Sequence, residues 1–333
     1  MAMLQTSGNF DKLIGKYEYP IKKHVTKQIE TFENKSQLKN IFYMYNSDKF
    51  ADAFTSETSV NAFAPVGENG RYPNGDFGEG YDLVNQYHEF KGKMTLSKTI
   101  IEDGNLGTLA KPKMNKLAED YYRVREQFGA SILQNGISTS MTFKGKAFTI
   151  SGADGKALFA TDHPSKTGKV ANQSNLYNAE LNYVNLGKAE TAMQNFVDDN
   201  GNKLEINPDT IIIPNTESAK RKIFEILNAN GNPTTADNAG NYHLGRWNVI
   251  VWKYLDAPTG VTTGADWFIL MDSTYNQTYS GLVWGDRVKL ETKSDIDNDT
   301  DAYNFRIRAR FGARPNAWRT AIACLPGVTG SSF

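Results

Sequence analysis

The segment TLAKPKMNKLAEDYYRVREQFGASILQNG, residues 108–136, has the strongest periodicity in the chain. Its apolar residues recur at steps of three and four, which places them on one stripe of an α-helix. These residues are Ala110, Met114, Leu117, Tyr121, Val124, Phe128 and Ile132. A proline is tolerated only in the first helical turn, so Pro112 predicts a start near Thr108, and Asn135-Gly136 predicts the end. At about 1.5 Å per residue this helix spans roughly 40 Å, which is long for a domain of this size.

The residues before this helix predict an extended β-hairpin. Residues 64–81 are rich in glycine and proline, which marks a long exposed loop. Residues 90–100 then alternate between apolar and polar side chains, the period of a half-buried strand. We therefore predict a hairpin over residues 54–102 with 90–100 as its returning strand, preceded by an arm without a core of its own over residues 1–53. The glycines at the predicted tip are Gly67, Gly70, Gly75, Gly78 and Gly80.

The residues after the helix predict a mixed α/β unit. An amphipathic helix at 186–197 and another helix capped by Thr216 alternate with short segments rich in β-branched and aromatic residues. The most regular strand comes last, at 303–311, where apolar and polar residues alternate strictly. The other predicted strands are Thr210–Ile213, Trp247–Trp252, Trp267–Met271, Leu282–Trp284 and Val288–Glu291.

Three arginines, Arg306, Arg308 and Arg310, share the polar face of the last strand. A solvated sheet face of this kind needs no partner. The alternative is that the guanidinium groups bind carboxylates of a neighbouring copy, where bidentate pairs would set the register of the contact. The candidate carboxylates precede the strand and are Asp295, Asp297, Asp299 and Asp301.

The same four aspartates resemble a calcium-binding loop only superficially. Counting from Asp297, the sixth position is Ala302 instead of glycine, and the twelfth is Arg308 instead of glutamate. We therefore predict a solvated acidic turn and no metal site.

Composition limits the possible functions. Lys plus Arg number 37 and Asp plus Glu number 37, so the formal net charge is zero. A dedicated nucleic-acid reader normally has a basic excess, whereas a neutral chain can associate with its own copies without long-range repulsion. The single cysteine, Cys324, excludes a disulfide within the chain, and its apolar neighbours favour a small core residue.

Targeting signals are not recognisable. Residues 1–10 lack the apolar region of a secretory signal, and no stretch approaches the ~20 apolar residues that a membrane helix requires. We therefore expect a protein that is made and kept in a cytoplasm, with no membrane partner.

The sequence lacks the usual catalytic motifs, among them GxxxxGK[ST], GxSxG, HExxH and CxxC. His163 is the best single candidate, because the adjacent Asp162 could orient its imidazole. The alternative is a turn in which the aspartate caps backbone N–H groups. We predict no catalytic residue and no cofactor. A hydrolase or sugar-active enzyme that uses exposed Trp247, Trp252 and Trp267 is the alternative of a different class.

Three segments resemble the major head subunits of Mu-like and related tailed bacteriophages. The first is DGKALFATDHP at 154–164, together with Asn172–Asn175 shortly after it. The second is PDTIIIP at 208–214, and the third is the segment 305–319, which ends in RPNAWR. The motifs are diffuse, but their order matches that family over roughly residues 50–325.

The resemblance implies an α+β fold, the Hong Kong ninety-seven type capsid fold, also called the Johnson fold. Its implied parts are an N-terminal arm (1–53), an E-loop hairpin (54–102), a P-domain with a spine helix (103–177), an A-domain (178–300) and P-domain return strands (301–333). The cross-linking lysine and asparagine of some relatives have no match that we can identify in this sequence.

The function that the resemblance implies is structural and not enzymatic. Copies of the chain would self-assemble into pentamers and hexamers, which form the icosahedral head shell of the virion around the phage genome. The implied partners are other copies of the chain, portal, scaffold and decoration proteins, and packaged double-stranded DNA that is contacted without sequence specificity. An encapsulin-like shell of a cellular nanocompartment is the alternative within the same fold.

Overall fold

The computed structural model of this chain describes residues 23, 27, 30–58, 63–75, 78–99, 106–231 and 240–333. The main helices in this part of the chain are α1 (Leu38–Ile41), α2 (Leu106–Gln134), α3 (Tyr183–Gln194), α4 (Glu217–Asn228) and α5 (Ser273–Thr278). The strands are β1 (Tyr43–Asn46), β2 (Ala51–Glu57), β3 (Glu79–Gln86), β4 (His88–Leu96), β5 (Ser140–Phe143), β6 (Lys146–Thr149), β7 (Leu176–Tyr177), β8 (Thr210–Pro214), β9 (Asn248–Trp252), β10 (Phe268–Met271), β11 (Leu282–Ile296), β12 (Tyr303–Pro315) and β13 (Ala321–Cys324).

A four-stranded sheet has the order β1-β11-β12-β4. Strands β11 and β12 form its long central hairpin, β4 is antiparallel to β12, and β1 is parallel to β11. The alternation predicted for β12 is confirmed. Phe305, Ile307, Ala309 and Phe311 are buried, whereas the arginines between them are exposed or half-buried. The sheet therefore has an apolar inner face and a charged outer face.

Helix α2 packs across the inner face of this sheet. The ring of Phe128 lies 5.7 Å from that of Phe90 in β4 and 5.6 Å from that of Phe311 in β12, measured between ring centroids. The predicted long helix is confirmed, although it begins two residues earlier, at Leu106. Pro112 therefore lies in the second turn, where its missing N–H costs the helix one hydrogen bond and does not end it.

A five-stranded sheet has the order β7-β13-β10-β8-β9 and packs against α3 and α4. All residues of β8 are buried, because both of its faces pack in a core, with Ile212 in one cluster and Ile211 and Ile213 in the other. The predicted cap of α4 is confirmed, since the Thr216 side chain accepts a hydrogen bond from Ala219 N. Cys324 lies in the core of this sheet, and burial raises the pKa of its thiol, as expected for a core residue.

Two of the three tryptophans in the enzyme alternative are not exposed. Trp252 and Trp267 are buried in the core, and Trp247 is partly buried. Trp252 points inward because it follows the same strand alternation as the buried Ile250. The prediction of an exposed aromatic surface is therefore wrong at these two positions.

Two predicted strand assignments are also wrong. The strand that returns from the hairpin is β3, which pairs with β2, whereas β4 pairs with β12. Periodicity identified β4 as a strand but carries no information on its partner. The strands predicted at 282–284 and 288–291 are one strand, β11, whose register shifts on both sides of Val288. Such bulges interrupt the alternation on which the prediction relied.

The sheets cross the predicted domain boundaries. The boundary at residue 300 falls between β11 and β12, which are paired along most of their length. Strand β13, predicted with the return strands, pairs with β10 and β7 in the five-stranded sheet. The chain passes from one sheet to the other near residue 282 and again after residue 315, which local patterns do not reveal.

Part of the predicted arm belongs to the core. Leu38, Ile41 and Phe42 are buried, and β1 is a strand of the four-stranded sheet. The prediction of an arm without a core is therefore wrong for residues 38–46. A few well-placed apolar residues are enough to pack this segment into the core of the four-stranded sheet. The call for an arm at residues 1–22 lies outside the described residues.

Candidate interaction surfaces

The loop of the β2–β3 hairpin is exposed over residues 63–74. A tight turn shapes it, in which Gly70 N donates a 2.8 Å hydrogen bond to Gly67 O. Phe63 and Tyr72 are almost fully exposed in this loop. Large apolar side chains in water are stabilised when another surface covers them, so the loop is a candidate contact surface.

The glycines predicted at the hairpin tip divide between two places. Gly67 and Gly70 lie in the exposed loop and the half-buried Gly75 directly follows it, whereas Gly78 lies at the start of the paired region and Gly80 lies within β3. The tip is therefore shorter than the sequence predicted, because two of its glycines serve the close pairing of β2 with β3.

The base of the hairpin crosses the four-stranded sheet over two paired glycines. Gly285 in β11 and Gly312 in β12 are register partners. A Cβ atom on Gly312 would overlap the carbonyl oxygen of Gln86, and one on Gly285 would lie 2.6–2.7 Å from the rings of Tyr87 and Tyr45. The glycines thus allow the hairpin base to lie close to the sheet. A glycine inside a strand is the sequence signal for such an approach.

A largely buried polar cluster fixes the hairpin base. Asn85 Nδ2 donates to Tyr45 Oη at 2.8 Å and to Gly312 O at 3.2 Å. The Tyr87 hydroxyl donates to Asp52 and lies 3.0 Å from Tyr45 Oη. Burial raises the pKa of both tyrosine hydroxyls, so both stay protonated, with Tyr87 as a donor and Tyr45 Oη as the acceptor from Asn85 and Tyr87. The cluster joins the hairpin to β1 and β12 and sets its direction.

On the outer face of the four-stranded sheet, two of the predicted arginines bind carboxylates of their own chain. Arg306 Nη2 lies 3.0 Å from Asp295 Oδ2. Arg308 binds Glu89 in β4 and Glu291 in β11, with Nη1 2.7 Å from Glu291 Oε2. The structure thus brings one of the four predicted aspartates to the arginine strand, and two glutamates that the sequence did not identify.

The other predicted aspartates occupy the turn between β11 and β12. Asp299 N donates to Asp297 Oδ1 at 3.1 Å, and the Asp301 carboxylate lies 2.9 Å from Lys98 Nζ. The turn is exposed from residue 298 to residue 301, in agreement with the predicted acidic turn. Throughout the described residues, no group of three or more His, Cys, Asp or Glu side chains is arranged to hold a metal ion.

Arg125 on α2 forms a buried ion pair with the same sheet. Its Nη1 and Nη2 atoms donate to the two carboxylate oxygens of Asp286 at 2.7 and 2.9 Å. Trp284 Nε1 donates to the same carboxylate at 3.1 Å. The Arg125 and Asp286 side chains are almost completely buried. The sequence does not reveal this pair, because its members are 161 positions apart.

His163 is buried in a polar cluster and is not open to a substrate. Its Nδ1 lies 2.6 Å from Asp154 Oδ2, its Nε2 lies 3.1 Å from Asn175 Oδ1, and its ring stacks on Trp318. Asn175 Nδ2 lies within hydrogen-bond distance of three backbone carbonyls, which orients Asn175 Oδ1 towards the His163 ring. The cluster attaches the 154–163 loop to the core.

The carboxylate that contacts His163 is not the one that the sequence suggested. Asp162 binds Lys156 instead, at the surface. The alternative in which Asp162 orients the imidazole is therefore wrong. Asp154 lies nine residues away from His163 and reaches it because the intervening loop turns back.

Among the described residues, no helix combines the length and the apolar character needed to cross a bilayer.

Residues 88–324, more than two thirds of the chain, match the family model of a phage capsid protein. No curated protein matches the chain. A solved structure from Mycobacterium phage Patience superposes with a TM-score of 0.53 at 10% identity, covering 98% of this chain and 91% of that one. The capsid of a native GTA particle gives 0.52 at 13% identity, covering 88% and 90%. A structure from Microbacterium phage Oxtober96 gives 0.52 at 11% identity, covering 87% and 91%.

At these identities the likeness establishes the fold, which is the predicted Hong Kong ninety-seven type capsid fold. The narrower assignment to Mu-like phages stays a prediction.

Proposed function

Because the chain belongs to the phage capsid protein family and is a structural protein of the virion shell, we propose that its copies assemble into pentamers and hexamers around the phage genome. The match to the family over residues 88–324 carries this proposal. In it, α2 is the spine helix, the β2–β3 hairpin is the E-loop, the four-stranded sheet belongs to the P-domain and the five-stranded sheet to the A-domain.

The hairpin loop supports this proposal physically. Phe63 and Tyr72 expose their apolar surface to water in the isolated chain. Burial against a neighbouring copy would remove this surface from water, which is energetically favourable. A hairpin with a rigid base and an exposed apolar loop is suited to lie across a neighbour. Many such moderate contacts stabilise a closed shell collectively.

The assembled shell would also have partners other than copies of the chain. Portal, scaffold and decoration proteins would bind the assembled shell, and packaged DNA would be contacted without sequence reading, in agreement with the zero net charge. Synthesis would take place in the host cytoplasm, and we expect no catalytic activity. Neighbouring genes would distinguish a phage head, with portal and terminase genes, from a nanocompartment shell with a cargo enzyme gene.

Sedimentation and negative-stain microscopy of the expressed protein test the proposed function, with a scaffold protein co-expressed where assembly requires it. We expect closed shells, tubes, or rings of five and six subunits. A uniform small species at high protein concentration would overturn the proposal.

A pair of variants sharpens this test. Replacing Phe63 and Tyr72 together by serine should leave folding unchanged, because both side chains are exposed, but should reduce the yield of particles. The matched control is Tyr279→Ser, another exposed aromatic residue that lies outside the hairpin. Equal particle yields for both variants would contradict the role of the hairpin loop.

A further inference from the structure

Three cationic side chains form a straight row across the outer face of the four-stranded sheet. Arg306 in β12 is the register partner of Lys93 in β4 and of Lys293 in β11. Directly opposed residues point to the same face, and neighbouring strands are about 4.8 Å apart, so the row is roughly 10 Å long. Lys93, Arg306 and Lys293 are all exposed. Like charges directly opposite each other destabilise a sheet, so the row is unfavourable in the isolated chain.

The adjacent row is compensated within the chain, whereas this one is not. Arg308 binds both Glu89 and Glu291, and Glu89 also binds Lys91 at 2.8 Å. In the row of Lys93, Arg306 and Lys293, the only ion pair among the described residues joins Arg306 to Asp295. The uncompensated positive charge therefore lies around Arg306 and not around Arg308.

The same hairpin has an excess of negative charge at its end. Asp297 and Asp299 lie in the β11–β12 turn, and no salt bridge between described residues reaches either of them. The hydrogen bond from Asp299 N to Asp297 Oδ1 fixes the shape of this turn. Arg306 lies four positions from Ala302 at the turn, a distance of about 13 Å along a strand, so the turn does not neutralise the row of its own chain.

We propose that the row of Lys93, Arg306 and Lys293 in one copy binds Asp297 and Asp299 in the acidic turn of a second copy. This contact rests on the proposed function, in which copies of the chain lie side by side. Each copy carries both halves, so the contact can be reciprocal about a two-fold axis or can close a ring. Two carboxylates two residues apart fit a row of roughly 10 Å.

A second copy fits this surface better than nucleic acid does. Glu89, Glu291 and Asp295 lie on the same outer face, where they would repel a continuous line of phosphates. These three carboxylates do not hinder the two carboxylates of a second copy, which would contact only the row of Lys93, Arg306 and Lys293. The equal numbers of basic and acidic residues in the chain also agree with charges that are matched between copies.

Charge reversal tests the contact. We would compare wild-type protein with Lys93→Glu/Lys293→Glu, with Asp297→Lys/Asp299→Lys and with the fourfold combination, using Lys188→Glu on the exposed surface of α3 as control. Light scattering gives the protein concentration at which particles form, and microscopy identifies them. Each double variant should raise that concentration about tenfold or more, because it brings like charges together. The fourfold variant should return it to within about threefold of wild type, and the control should leave it unchanged.

The outcomes separate the contact from the function on which it rests. Wild-type protein that stays a uniform small species, without shells, tubes or rings of five and six subunits, overturns the proposed function and this contact with it. Wild-type particles with unaffected double variants, or a fourfold variant that does not recover, overturn the contact alone. Double variants that assemble normally but no longer bind added double-stranded DNA, which wild-type protein binds, would also overturn it and assign the row to nucleic acid. Circular dichroism checks that each variant folds. A variant that does not fold is replaced by Lys93→Gln/Lys293→Gln, which should weaken assembly less.

Discussion

At one end of the four-stranded sheet, Arg125 is buried against Asp286, whereas towards the other end Arg306 and Arg308 lie on the solvated outer face. Removing one member of a buried pair leaves a charge without water or a partner, which strongly destabilises a protein. Exposed pairs contribute much less, because water and salt screen them. The comparison predicts that the ion pair at the buried end contributes strongly to the stability of the subunit, while the pairs at the exposed end contribute little.

The largest expected effect follows from Arg125→Met. The variant leaves Asp286 buried without its cation, and we expect it to lower the free energy of unfolding by about 3–5 kcal/mol. Urea unfolding of the unassembled protein measures this change. The matched control is Arg123→Met, two residues earlier on the same helix, where the side chain is 49% exposed and forms an ion pair with Asp120. Similar losses for the two variants would contradict the comparison.

An intermediate effect is expected for Gly312→Ala, at the buried end of the sheet. The added methyl group would overlap the carbonyl oxygen of Gln86, and backbone must move to make room. We expect a loss of about 1–3 kcal/mol in the free energy of unfolding, together with a displaced hairpin. Urea unfolding and the resistance of the hairpin to proteolysis measure the two effects. Gly67→Ala is the control, since no atom lies within 4 Å of its added methyl group.

The sequence predicted those parts of the fold that depend on local periodicity. The α2 helix, the β12 strand and the Thr216 cap were identified correctly, because each depends on residues within a few positions of one another. The partner of β4 was not, because strand pairing is decided by residues more than 200 positions away. The bulges in β11 also removed the alternation that would have revealed one long strand.

For the candidate site too, the sequence predicted the local pattern but not the contacts between distant residues. Alternation placed Arg306 and Arg308 on one face of a strand, and the structure agrees. The flanking lysines Lys93 and Lys293 were missed as neighbours of Arg306, since only the register of three strands brings them into one row. Arg125 was missed for a related reason. Helical periodicity placed it on α2, but nothing in the sequence pointed to Asp286 as its partner.

The smallest effect is expected for Arg308→Gln at the exposed end. Hydrogen bonds from Lys91 and Arg308 lower the pKa of Glu89 to about 2. Because this folded-state pKa lies below the ordinary value of 4.5, the stabilisation is present above pH 4.5 and is lost as the pH falls towards 2. The groups are exposed, so the melting temperature at pH 7 should change by less than about 2 °C, and the difference from wild type should vanish near pH 2.

Differential scanning fluorimetry of the unassembled protein at both pH values checks this prediction, with Lys188→Gln as a control for the loss of one exposed charge. A loss as large as that of Arg125→Met would mean that the exposed pairs hold β4, β11 and β12 together. The outer face around Arg308 would then be a structural part of the subunit, and the division between a stabilising buried end and a weakly contributing exposed end would be wrong.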